Sequence, residues 1–199
     1  SLLEERDLKP VPENENEWYR YGRHQSLDKC DVPVKIIVGV LSQGNKYAVD
    51  NQRTFISSGG TAGYCMITLP ENSPYSIFYI QALLNSKYGE WFASIYGEIF
   101  RGGYIARGTK VLKRLPVRKI NFDDDSDRSL HNNISDKQQY LIDLQGRIDS
   151  NIGTNRFLVP LQREFEQRKN ELDILLKELF NLGEDDHLIP QITDIYATD

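Results

Sequence analysis

The sequence predicts an α+β fold: a β-rich domain with a few short helices, followed by a C-terminal antiparallel helical hairpin. Three features predict it. β-Branched residues crowd two short runs, at 34–41 and 47–49. Apolar residues spaced three and four apart mark short helices between 73 and 99, and a leucine stripe of the same spacing extends from Leu158 to Leu179.

Taken in order, residues 1–17 hold Pro10, Pro12 and a Glu/Asn run with little to bury, and read as an arm or linker. Folding is expected from Trp18. Val34, Ile36, Ile37, Val38 and Val40 make one strand, the polar 42–46 stretch a turn, and 47–49 its partner. Residues 54–57 are a further extended candidate; Gly59, Gly60 and Gly63 then break the chain before 64–69 resumes it. Ser73 and Pro74 suit the cap and first residue of a helix carrying Ile77, Ile80, Leu83 and Leu84. A second amphipathic stretch starts near Glu90, and after Gly102 and Gly103 the chain reads extended through Val117.

Asp123, Asp124, Asp125 and Asp127 fall in a segment, 123–134, that reads as an acidic hinge. Ser135 then caps a helix to about Ser150, a second runs from Thr154 to about Leu182, and together they form a hairpin over 135–182, with 183–199 as a tail. In the second helix only Arg168 interrupts the apolar seam. Such a stripe is a packing or docking surface rather than chemistry.

The chain is 39% apolar and 27% charged, with two cysteines, Cys30 and Cys65, that lack the spacing of a disulfide scaffold or a metal site. No apolar run approaches the roughly 20 residues of a membrane span, so no membrane partner and a cytoplasmic location are expected. Met66 is the only methionine and Ser1 opens on an acidic helical pattern, as in a piece of something longer.

The formal charge of −5 argues against a polyanion partner until it is divided. Residues 1–17 carry two basic and six acidic side chains, 18–120 fourteen and six, and 121–199 eight and seventeen, for net charges of −4, +8 and −9. A basic middle between acidic flanks is the footprint of a nucleic-acid module.

Catalytic patterns are absent from the sequence: no Walker loop, no dinucleotide glycine fingerprint and no His-Glu-x-x-His. The acidic 123–127 cluster lacks the central glycine and distant glutamate of a calcium loop, so no metal site is assigned. Asn72-Ser73-Pro74-Tyr75 is near the Asn-Pro-Pro-Tyr loop of adenine methyltransferases, yet a helix cap explains it without chemistry. The polar groups of the middle segment are more informative. Arg23 and Gln25 are residue types that bond guanine and adenine edges in bidentate fashion. The glycine loop at 57–64 and Arg101-Gly102-Gly103-Tyr104 are loops of the kind that approach phosphate closely.

Five features in order carry a resemblance: Trp18 with Tyr21-Gly22-Arg23-x-Gln25-x-Leu27, Gly59-Gly60-x-x-Gly63-Tyr64, Ala82-Leu83-Leu84-Asn85-Ser86, Arg101-Gly102-Gly103-Tyr104, and Leu112-x-x-Leu115-Pro116-Val117. The set resembles the TaqI-like C-terminal specificity domain, the target-recognition part of adenine-specific DNA methyltransferases and of fused type II restriction and modification enzymes. The resemblance covers 18–122. It implies a β-rich domain whose loops enter the major groove of double-stranded DNA, not itself an enzyme. Beside it would stand a separate catalytic domain of the same parent chain that binds S-adenosylmethionine, with a nuclease as a possible further domain or subunit. It implies no cofactor in this segment. Arg23, Gln25 and Arg53 are the expected contacts to base edges or phosphates, and Gly60, Thr61, Arg101, Tyr104 and Arg107 the loop contacts. Lys46, Lys110, Lys113 and Arg114 are expected along the backbone. The helical hairpin is similar in kind to the spacers of type I specificity subunits. The alternative is an assembly module that docks a methylase or nuclease subunit through Leu161, Leu172 and Leu175.

Overall fold

A computed structural model describes residues 31–44, 46–56, 63–152 and 155–189. Its elements are strands β1 (Lys35–Gly39), β2 (Leu41–Ser42), β3 (Tyr47–Asp50) and β4 (Tyr64–Ile67), helices α1 (Ile77–Asn85) and α2 (Lys87–Tyr96), and strands β5 (Ile99–Phe100) and β6 (Tyr104–Ala106). Helices α3 (Thr109–Leu112), α4 (Asp125–Ser150) and α5 (Asn155–Phe180) follow, then a 3-10 turn at Gly183–Leu188. The class is α+β, as expected.

The β-branched run does pair, but with two partners. β1 lies between β3 and β4 in one antiparallel sheet, while β2 belongs to a second sheet of order β2-β6-β5. Val40 joins them: its N–H donates to the Gly63 carbonyl at 3.0 Å and its carbonyl accepts from Arg107 N–H at 2.7 Å. One extended segment thus spans both sheets.

Helix α1 is apolar except for Gln81 and Asn85, the signature of a helix buried on two sides. Ile77 and Leu84 pack with Ile36, Val38 and Tyr47 of the first sheet, whereas Tyr79, Ala82 and Leu83 share a second core with Ile134 and Leu141 of α4 and Leu172, Leu176 and Leu179 of α5. Polar groups repeat this sandwich. The Gln81 amide donates to the Tyr47 carbonyl at 2.8 Å and accepts from Gln138 of α4 at 3.1 Å. Asn85 brackets the same strand residue, accepting from its N–H at 3.3 Å and donating to its carbonyl at 3.0 Å. Asn85 and Ser86 of the quoted motif therefore have structural work: Ser86 caps α2 by accepting from Gly89 N–H at 3.1 Å.

Four expectations change. The acidic hinge is the first turns of α4: Asp124 is its N-cap, accepting from Asp127 N–H at 2.9 Å, and carboxylates there offset the partial positive charge of the helix start. Ser76, not Ser73, caps α1. The stretch after β6 turns into α3 instead of staying extended. Residues 54–56 form no strand, and residue 57 lies outside the described residues. The residues named for docking are corrected as well: Leu161 and Leu172 are buried in the molecule's own cores, and Leu175 packs against the core that holds Leu172.

Two carboxylates make stability depend on acid. Asp50 accepts from the buried Lys35 ammonium at 2.8 Å and from Thr54, which holds it at about 2 against an ordinary 3.8. Glu171 is held at about 2 against 4.5, first by Lys137 of α4 and then by Arg168. Groups with depressed folded values stabilise the fold above their ordinary values and lose that contribution as pH falls through the folded ones. Urea midpoints are expected to be flat above about pH 5 with respect to these groups and to fall between about pH 4 and 2. Asp50→Asn with Glu171→Gln is expected to flatten that fall.

Candidate nucleic-acid interface

The second sheet presents two loops at one end. β5 and β6 pair Ile99 with Ile105 and Phe100 with Tyr104, closing on Arg101, Gly102 and Gly103. Gly102 and Gly103 sit at φ +82° and +74°, so the turn requires glycine at both positions. β2 pairs antiparallel with β6, Leu41 with Ala106 and Ser42 with Ile105, which brings the chain leaving β2 beside that turn. There the Gln43 side-chain amide donates to the Gly102 carbonyl. Lys46 lies in the same β2–β3 connection and is exposed. Arg101 and Tyr104 are exposed too, Tyr104 to 44%.

At the other end of β6 the chain enters α3 past Gly108. Val111 is the buried anchor of this short helix, leaving Lys110 and Lys113 in solvent. The Arg114 guanidinium stacks over the Tyr96 ring at 4.0 Å, which orders a cation on the surface without neutralising it. α2 can reach this sheet because Gly97 ends it: a Cβ there would lie 2.4 Å from Ile105 Cγ2.

The sequence-derived residues therefore divide. Arg101 and Tyr104 share the loop end, Lys110, Lys113 and Arg114 cluster on and just after α3, and Lys46, directly before β3, lines a groove with Gln138 and Ile142 of α4 and Lys169 of α5. Arg53 is 61% exposed but lies at the opposite end of the first sheet from Lys46, 3.8 Å from Asp31. Arg23, Gln25, Gly60 and Thr61 lie outside the described residues.

Arg107 is a correction. It is 1% exposed and cannot reach a ligand at the surface. Its Nη1 donates at 2.5 Å to Glu90 Oε2 and its Nη2 to Oε1, while Nε reaches the Ser42 carbonyl at 3.4 Å. Burial disfavours the charged guanidinium, but the Glu90 carboxylate more than offsets that and keeps it above its ordinary value. The Tyr47 hydroxyl also bonds Arg107, and burial pushes that phenol up. Glu90, missed in the sequence, has one local signal: it sits three residues before the buried Ala93, on the inward face of α2.

Charge on the middle segment is sorted accordingly. Lys35, Lys87, Arg107 and Arg118 are tied to Asp50, Asp186, Glu90 and Asp127. Lys46, Arg101, Lys110, Lys113, Arg114 and Lys119 are exposed and form no ion pair with another described residue. Of this surplus, Arg101 belongs to the loop end and Lys110, Lys113 and Arg114 to α3 and the residues just after it, while Lys46 and Lys119 lie elsewhere.

Tyr75 of the Asn-Ser-Pro-Tyr stretch is a packing residue. Its ring meets Phe122 edge-on at 5.1 Å and its hydroxyl accepts from Ile120 N–H at 3.0 Å. His131 is buried in the same cluster, with Nε2 accepting from the Ser76 N–H at 3.1 Å. Among the described residues no group of three His, Cys, Asp or Glu could hold a metal, and no helix is long and apolar enough to cross a membrane.

The family described as "TaqI-like C-terminal specificity domain" matches residues 5–117. The chain is 54% identical over 191 residues to a type II restriction enzyme and methyltransferase of Escherichia coli, RM.Eco57I, covering 96% of this chain and 19% of that protein. It therefore spans about a fifth of the relative's length. No solved structure matches it.

Proposed function

The chain belongs to the TaqI-like C-terminal specificity domain family, and from that membership we propose that it recognises a particular double-stranded DNA sequence on behalf of a larger restriction-modification enzyme. The carrying observation is the exposed set at the loop end and on and just after α3, without ion pairs among the described residues: Arg101 and Tyr104 with Lys110, Lys113 and Arg114. Phosphate contacts position such a protein and base contacts give it selectivity. A two-stranded ribbon with its turn leading fits the major groove, so the β5–β6 turn is the base-reading part and the α3 lysines are phosphate anchors.

The parent enzyme, in this reading, methylates adenine with S-adenosylmethionine, works in the cytoplasm, and carries its catalytic domain outside this chain. The described residues do not fit that cofactor: the glycine pair Gly102–Gly103 leads into a strand rather than a helix N-terminus. No catalytic step is assigned to this segment. RM.Eco57I is named as both restriction enzyme and methyltransferase, which supports a parent that also cuts.

Salt titration tests the proposal. Log affinity is expected to fall linearly with log salt, and Lys110→Ala and Lys113→Ala are each expected to reduce the slope by about 1 while leaving sequence preference intact. Fluorescence anisotropy at several salt concentrations reads this; a slope unchanged in both variants would remove them from the interface.

A further inference from the structure

The bond from the Gln43 amide to the Gly102 carbonyl joins loops 59 residues apart in the chain, from two different strand connections. It lies at the exposed end of the second sheet, where a neutral hydrogen bond in water adds little to stability. Its effect is on geometry. Gly102 and Gly103 place the turn in left-handed conformations open to many backbone arrangements, and nothing apolar packs against a Cβ placed at Gly102 except the Tyr104 ring edge at 3.7 Å. Gln43 supplies the missing constraint.

We propose that Gln43 is a positioning residue for base recognition: by clamping the β5–β6 turn to the β2–β3 connection, it holds Arg101 at one height and angle for the major groove. This rests on the DNA-recognition reading given above. Bidentate contacts between a guanidinium and guanine need donors placed within a fraction of an ångström, whereas phosphate contacts tolerate a mobile side chain. A loosened turn therefore loses selectivity before it loses affinity.

The test selects a preferred duplex from a randomised library with the 199-residue chain, then compares affinities for it and for unrelated duplex. Gln43→Ala is expected to reduce the ratio of the two about tenfold, with little change for unrelated duplex and none in melting temperature. Arg101→Ala is expected to reduce the ratio as well, and Gln43→Ala added to it to cause no further loss, since Gln43 acts through Arg101. An undiminished ratio in Gln43→Ala, or losses that multiply in the double variant as for a residue reading a base itself, overturns the inference while leaving the functional reading intact. A chain without substitutions that selects no duplex overturns the functional reading and this inference with it.

Discussion

Replacing either Glu90 or Arg107 with alanine is expected to destabilise the protein by about 3 to 5 kcal/mol, the usual consequence of stranding one member of a buried ion pair. Both groups are essentially inaccessible, at 0% and 1% exposure, and the pair is bidentate. Removing Glu90 leaves a guanidinium that cannot lose its proton; removing Arg107 leaves a carboxylate beside the Tyr47 hydroxyl. The pair also joins α2 to the end of β6, the strand that leads out of the proposed base-reading turn, so under the proposed function DNA binding should weaken with stability. Its presence is not itself a large net stabiliser, because desolvating two ions offsets most of their attraction. Glu90→Leu with Arg107→Met should accordingly recover most of what either single change loses. Urea unfolding of the three variants checks both halves; single changes costing under about 1 kcal/mol would contradict the buried pairing.

A chain ending at Phe122 is expected not to fold at all. Tyr79, Ala82, Leu83 and Tyr88 face Ile134, Leu141, Leu172, Leu176 and Leu179, so removing α4 and α5 exposes one whole side of α1. Burial of each such aliphatic side chain contributes about 1.5 to 3 kcal/mol, so five of them are comparable to the whole of the roughly 5 to 15 kcal/mol by which a domain is stable. The truncation also removes His131 from the start of α1 and Gln138 from Gln81. A graded version, Leu176→Ala, should cost about 2 to 5 kcal/mol. Thermal melting by circular dichroism reads both. A sharp transition in the truncated chain, with salt-dependent DNA binding retained, would show the hairpin to be a separable appendage.

Much of this was legible in local pattern. The paired β-branched runs and the leucine stripe follow from periodicity of two and of three to four, and β1, β3 and α5 lie where those periods put them, whereas α4 ends where expected but starts at Asp125, ten residues before the expected Ser135. What failed was non-local. The division of one extended run between two sheets at Val40 depends on partners at Gly63 and Arg107. Arg107 looks like any basic loop residue until Glu90, seventeen positions earlier, is placed against it. The Asp123–Asp127 cluster shows the opposite error, a local motif misread: acidic residues without apolar neighbours suit a hinge and a helix start equally well, and only Asp124 accepting from Asp127 distinguishes them. In the candidate interface, loop composition pointed to Arg101, Tyr104, Lys110 and Lys113, while Gln43 became visible only through its contact with Gly102.

Under the proposed function, DNA meets the loop end of the second sheet and not the acidic hairpin. Photocrosslinking distinguishes the two surfaces, with a photoreactive amino acid placed singly at Tyr104 of β6 or at Ile174 of α5, both exposed. Irradiation with duplex DNA at low salt is expected to give strong crosslinks from position 104 and background from position 174. Crosslinking from 174 equal to or greater than that from 104 would place DNA on the hairpin instead.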